Sequence, residues 1–254
     1  MSAAVMPRWI AEASPRAKAR LAGVCEALEG FTSAYGQVFI RDRLIVSGDA
    51  AATAANILGH EQLYRVGFAV SVLGVAFHVA WAFLFYELFK PVNRSVSRLA
   101  LLVVLVCCAI QAVTAILYLA PLLVLQGGSS LAGFTTGQLQ ALAYTFLKLN
   151  GLAFQVDLVF FGLWCVLAGY LIFKSTFMPR ILGVLLAIDG FGWMIYVSPP
   201  LGVQLFPFIA VASGLAEVPL QLWLIVFGVN AQRWKEQAHV SDFQRGRSIS
   251  DLTS

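Results

Sequence analysis

Charge is what this chain has least of. Asp, Glu, Lys and Arg together make up 12% of its 254 residues, about half the share usual in soluble domains. That scarcity excludes an ordinary water-exposed globular domain. No Walker loop, dinucleotide fingerprint or Ser-centred nucleophile elbow is present, so nucleotide-driven and serine-hydrolase chemistry have no motif to stand on. Cysteine occurs four times and histidine three times. Cys25, Cys107, Cys108 and Cys165 all fall within apolar runs, where a free thiol behaves as a small apolar side chain. The adjacent pair 107 and 108 lacks a ligand spacing, so neither a disulfide framework nor a zinc site is expected. Residues 1–20 lack the short apolar core of a cleavable leader, because Arg8, Glu12, Arg16, Lys18 and Arg20 interrupt them; the N-terminus is expected to stay in the mature chain.

Hydrocarbon is what the chain has in excess. Hydrophobic residues make up 59% of it, and the mean hydropathy is +0.80. Runs near the ~20 residues needed to span ~30 Å of hydrocarbon recur at 21–40, 67–89, 99–126, 151–173, 181–198 and 206–228. The expected fold is therefore all-α, an integral membrane bundle of six transmembrane helices. A cytoplasmic N-tail (1–20) precedes the membrane domain (21–230), and a disordered cytoplasmic C-tail (231–254) follows it. The first run is the least apolar. Glu26, Glu29, Ser33 and Gln37 share one helical face, opposite Leu21, Val24, Leu28, Phe31 and Tyr35. It reads either as a bundle helix with a polar inner stripe or as an amphipathic helix on the membrane surface.

The basic residues set the orientation. With six spans, the N-tail, the C-tail and the loops at 90–98 and 174–180 hold 13 of the 17 Lys and Arg. Arg41, Arg43, Arg65 and Lys148 lie on the other side. The positive-inside rule then puts both termini in the cytoplasm, with the chain in the inner (plasma) membrane. The net charge of +4 follows from that topology and carries no nucleic-acid footprint. On the outer side, Ser47-Gly48-Asp49 reads as a cap entering an Ala-rich helix, either a stiffener of the loop 41–66 or a lid over the outer mouth. A repeat at an offset of 84 residues pairs Gly67, Ala69, Val72, Val75, Phe77, Tyr86, Phe89 and Lys90 with Gly151, Ala153, Val156, Val159, Phe161, Tyr170, Phe173 and Lys174. It reads the second and fourth spans as parallel duplicates, of a kind found in transporters and in many other membrane proteins.

Ionisable groups in hydrocarbon mark function by default. Counting ~1.5 Å per residue, Glu29 lies roughly 13 Å and Asp189 roughly 12 Å in from the cytoplasmic side. His78, Gln111 and Glu217 are central in their spans, Glu26 sits one turn inward, and Asp157 falls in the outer third. Glu26 and Glu29, at i and i+3, can work as a proton donor or relay. Trp81, Trp164 and Trp193 stand at the same level, either as ordinary packing or as the wall of a cavity whose ring faces stabilise a cation. The Glu-x-x-His pairs of a bundle di-iron site are missing, so no metal is expected. Pro219, just after Glu217, can bend the sixth span beside its acid.

Four segments resemble a known family: LIVSGDAAATAANILGHEQLYRVGF (Leu44 to Phe68), KPVNR (Lys90 to Arg94), VFFGLWCVLAGYLIFKSTFMPRILGVLLA (Val159 to Ala187) and WLIVFGVN (Trp223 to Asn230). The chain is similar over about residues 20 to 234 to the bacterial multi-pass membrane family called domain of unknown function four-three-eight-six. That resemblance implies a six-span membrane fold and brings no activity with it. Relative to the family's pattern, Asp is usual at His78, His at Trp164 and a small apolar residue at Asp189, and the first span is plainly apolar.

The sharpest expectation is a cofactor-independent membrane enzyme acting on a lipophilic, isoprenoid-like substrate. Glu29 and Asp189 would serve as acid and base for cyclisation or isomerisation, with Glu26, His78 and Glu217 beside them. Trp81, Trp164, Trp193, Gln111 and Asp157 would bind the substrate. A small proton-coupled transporter using the same carboxylates, with Pro219 as hinge, is the alternative, and an accessory membrane subunit is a third. The expected partners are membrane lipids and a lipophilic small molecule, with no nucleic acid.

Overall fold

The structure, a computed structural model, describes residues 13–253. Those residues form helices joined by short connections, with no strand among them. Helix α1 (Pro15–Ala34) opens with Ser14, whose side chain accepts a hydrogen bond from Ala17 N, and with Pro15 in the first turn. It continues without a break into a π-helical segment, Tyr35–Arg41, and one α turn, Asp42–Leu44. Helix α2 (Ala50–Gly59) is capped by Asp49, whose carboxylate accepts from Ala52 N at 2.8 Å, as its sequence predicts. Then come α3 (Glu61–Phe89), α4 (Arg94–Gln126), α5 (Thr136–Lys174), α6 (Arg180–Met194), α7 (Pro199–Val226) and α8 (Ala231–Thr253).

Five stretches are long and apolar enough to cross a membrane: α3, α4, α5, α6 with its 3-10 extension to Val197, and α7. Helix α1 falls outside that set because of its polar stripe. It nonetheless packs against α3 on one side and α7 on the other. The remaining neighbours are α3 with α4, α4 with α5, α5 with α6, and α6 with α7. The six helices therefore form a closed ring. Its seam joins the first helix to the last: Arg20 Nη2 donates to the Val226 carbonyl at 2.8 Å. At Gly23, an added Cβ would stand 2.8 Å from Leu224 Cβ.

Amphipathicity in α1 runs opposite to that of a soluble helix. Val24, Leu28, Phe31 and Tyr35 are exposed on the outside of the ring, whereas Glu26 and Gln37 are buried. The polar side of α1 is thus packed against the bundle.

The α5–α6 contact is backbone against backbone. Gly162 opposes Gly190, and Gly169 opposes Gly183. A Cβ added at any of the four would lie 2.5 Å from the facing glycine's carbonyl oxygen. Small residues at seven-residue spacing let two membrane helices touch backbone to backbone.

Residues 1–12 of the proposed N-tail lie outside the described residues, and helix α1 starts at Pro15, inside the stretch assigned to that tail. Within the stretch assigned to the C-tail the structure has helix α8. Asn230 Oδ1 accepts from Arg233 N, and Trp234 Nε1 donates to the Leu88 carbonyl at 2.8 Å. A cap and a docked indole give a segment of good helix formers the anchor that composition alone does not reveal.

The bundle has two apolar layers. One lies toward the end that carries both termini and contains Ala19, Phe85, Phe89, Trp164, Phe177 and Leu224 among others. The smaller one, at the opposite end, joins Ile40, Leu44, Ile57, Tyr64, Tyr118, Leu122 and Leu147. Helix α2 supplies Ile57 to this second layer and buries Thr53 and Ala54, so it is docked onto the bundle end.

Candidate functional site

Between the two layers, four helices bring polar side chains together. Gln111 of α4 is the hub. Its Nε2 donates to Asp157 Oδ2 of α5 at 3.0 Å and lies 3.5 Å from Glu29 Oε1 of α1. Its Oε1 is 3.0 Å from His78 Nδ1 of α3. Both carboxylates are acceptors, so the amide protons point at them and the amide oxygen must accept from the imidazole. This assigns the proton of a neutral His78 to Nδ1. Its Nε2 is buried and has no hydrogen-bond partner among the described residues. His78 Nδ1 is also 3.8 Å from Glu29 Oε1.

A second cluster belongs to α6 and α7. Glu217 Oε1 accepts from Trp193 Nε1 at 3.2 Å and from Ser213 Oγ at 2.7 Å. Asp189 is fully buried beside Glu217, Cys165 and Ser213, but neither carboxyl oxygen reaches full hydrogen-bond geometry with a partner among the described residues. It stands within electrostatic reach of Glu217, as does Glu26. Glu26, itself close to Glu29, thus bridges the clusters. A buried oxygen without a partner, such as Glu26 Oε2, Asp157 Oδ1 or either oxygen of Asp189, is a costly arrangement that a proton, a water or a ligand relieves.

The tryptophans pack. Trp81 and Trp164 have ring centroids 4.3 Å apart, and a column of ring contacts runs His78–Trp81–Phe85–Phe89–Phe177. Both indoles are about 98% or more buried. Trp193 differs, because its indole N–H engages Glu217.

A small cavity, about 30 Å³, opens beside Gln111. It is lined by Glu29, Ser33, Gln37, Ser71, Thr114 and Phe154, with Gly74, Val75 and Ala115 completing the wall. That is room for one or two waters. Close approach of α1 and α3 shapes it: a Cβ on Gly36 would stand 2.6 Å from Ser71 Oγ, and one on Gly74 2.7 Å from Thr32 Oγ1.

Of the residues singled out in the sequence, Glu29, His78, Gln111 and Asp157 form one network. Glu217 and Trp193 form another, with Asp189 and Glu26 alongside. Trp81 and Trp164 join the apolar layer. Asp157 does not sit toward the outer mouth. Helix α5 begins at Thr136, so Asp157 lies near its middle, level with His78 and Gln111. The polar start of α5, TGQLQ, falls below the hydropathy of a span and moved the apparent entry point inward. Ser213, Ser71 and Thr114 were missed. Their signals were present: Ser213 precedes Glu217 by one turn, and Thr114 follows Gln111 by three residues. Among the described residues, no three His, Cys, Asp or Glu stand close enough to share a metal ion.

A multi-pass helical membrane protein with a polar chamber between two apolar layers is the class these features define. Residues 21–228 match the family described as Domain of unknown function (DUF4386), and the chain belongs to it. No curated protein and no solved structure matches the chain.

Proposed function

We propose that this protein is a small proton-coupled membrane carrier in which the Glu29–Gln111–Asp157–His78 network receives and passes protons. One observation carries the reading: four titratable or hydrogen-bonding groups from four helices form one network, and two of them, Glu29 and Gln111, line a chamber of water dimensions. A chain of oxygens and nitrogens beside water is the arrangement through which protons move in membrane proteins. The topology that goes with this reading has six spans, because α1 completes the ring. Both termini lie in the cytoplasm by the bias of Lys and Arg, and the location is the inner membrane.

Cyclisation or isomerisation of an isoprenoid is the weaker proposal. Pockets for such ligands measure ~300–1,000 Å³, whereas the chamber is about 30 Å³. The indoles that would cradle a carbocation are stacked on one another.

Reconstitution into liposomes loaded with a pH-sensitive dye tests the proposal. Under an imposed membrane potential, wild-type protein is expected to acidify or alkalinise the lumen faster than empty liposomes. Glu29→Gln and Asp157→Asn should slow that rate by about tenfold or more, in line with loss of an obligatory relay group. A wild-type rate equal to that of empty liposomes would sink the reading.

A further inference from the structure

The chamber's hydrogen-bonding inventory is lopsided. Ser71 Oγ donates its proton to the Gly67 carbonyl at 2.8 Å, and Thr114 Oγ1 donates to the Ile110 carbonyl at 2.9 Å. Each hydroxyl therefore turns lone pairs, and no proton, toward the space it lines. The Gln111 amide directs its protons at Asp157 and Glu29. Glu29 itself only accepts when ionised. Gln37 lines the chamber, is 9% exposed, and its side chain makes no hydrogen bond among the described residues. Its amide, and the hydroxyl of Ser33 beside it, are free to turn an oxygen inward. Phe154 closes one side with a ring, and an aromatic face attracts a cation.

Acceptors gathered around a water-sized space select a small guest rich in donors. We propose that the chamber is a binding site for a water-sized cation carrying several N–H or O–H groups, ammonium or hydronium, held by Glu29, Ser71, Thr114 and Gln37. The proposal rests on the proton-carrier reading and names the guest of that same site. A neutral donor such as water leaves the Glu29 charge uncompensated in hydrocarbon. An alkali cation of similar size can be coordinated by the same lone pairs, but it lacks the directed N–H or O–H bonds that match a few fixed acceptors, so the site ranks it below ammonium.

The route of entry follows from the two layers. Toward the termini, the column from Trp81 to Phe177 fills the bundle. At the opposite end, a smaller cluster closes it, seven buried residues with Ile45, Phe68, Leu119, Leu125 and Tyr144 packed against them. Arg41 of the π-helical segment clamps that end, donating to the Leu147 carbonyl at 2.7 Å. Ser33 and Gln37 lead from Glu29 toward it, one turn apart. The guest enters from that thinner end.

Charge movement in the full-length protein, reconstituted on a solid-supported membrane, tests the assignment. Concentration jumps of ammonium chloride are compared with potassium chloride and with pH jumps. Ammonium is expected to displace charge about tenfold more effectively than potassium, because a site built for hydrogen bonds rejects a guest without donors. Ser71→Ala and Thr114→Val should each weaken the apparent ammonium affinity about five- to tenfold, the worth of one hydrogen bond. Monodispersity and thermal midpoint in detergent check that both variants fold. A response to pH jumps alone, weakened in both variants, assigns hydronium as the guest and upholds the proposal. Equal ammonium and potassium responses overturn it, as do unchanged responses in both folded variants, while the proton reading then stands. If neither salt nor pH moves charge in folded wild-type protein, the proton reading falls and this proposal falls with it.

Discussion

Gln111 is the residue on which the site turns. A neutral amide is the one common side chain that can offer two donors to two carboxylates and an acceptor to an imidazole at the same moment. Glutamate in its place would set a third acid against Glu29 and Asp157. Leucine would leave all three partners unmatched. Side-chain hydrogen bonds inside membranes average ~0.6 kcal/mol, so losing three predicts a destabilisation of about 2 kcal/mol for Gln111→Leu. Thermal or denaturant unfolding in detergent micelles measures it, and a loss below the error of the method would show that the hub is not a structural unit. The acids, the imidazole and this amide were all legible as candidates, because polar groups stand out against an apolar background. Which of them touch was not legible, since hydrogen-bond partners come from helices 33 to 82 positions apart in the chain. The packing of the tryptophans was not legible either. An indole among aliphatic residues carries no sign of whether it walls a cavity or fills a core.

Helix ends and helix contacts belong to the next scale up. The existence and order of the apolar helices were readable from hydropathy, and Asp49 was readable as a cap. The start of α5 was not, because its first turns are polar and lie beyond the apolar window, and that error displaced Asp157. The π-helical stretch Tyr35–Arg41 was also invisible. YGQVFIR has no residue that forbids an α-helix, and the wider turn arises where α1 meets α3 at Gly36 and Ser71. The repeat between α3 and α5 gave no hint of the glycine seam, which lies only in α5 and α6. There the contact is backbone on backbone, so size is the whole criterion. Gly169→Leu should separate the pair and sharply reduce folded, monodisperse yield, whereas Ser175→Ala, just past the end of α5, should lower it far less. Size-exclusion profiles of the two variants make the comparison, and a normal profile for Gly169→Leu would contradict the packing described.

At the scale of the molecule, the basic residues and the ring act together. The termini share one end of the bundle, where α8 is tied to α3 through Trp234 and to the α5–α6 connection through Gln237 and Thr176. A C-terminal green fluorescent protein fusion should therefore fluoresce and a C-terminal alkaline phosphatase fusion should be inactive in a bacterial host. An active phosphatase would reverse the proposed orientation and, with it, the side from which the chamber is reached. How many helices cross the membrane is decided by α1, whose own composition argues against it and whose neighbours argue for it. Hydropathy read along a single segment cannot register that Glu26 is buried and that Glu29 reaches Gln111 and His78 of other helices.

The ring's seam has a further consequence for how the protein is made. Helix α1 emerges first from the ribosome and α7 last among the ring helices, yet they are neighbours in the finished bundle. In the six-span topology proposed above, Glu26 lacks its neighbour Glu217 and the rest of α7 until that helix arrives, and a carboxylate at the bilayer centre costs ~2.5–3.5 kcal/mol. The order of synthesis and the order of assembly are therefore opposed. The first helix has to wait at the translocon or at the lipid headgroups until the others form a cleft for it. Biogenesis ends where the polypeptide began.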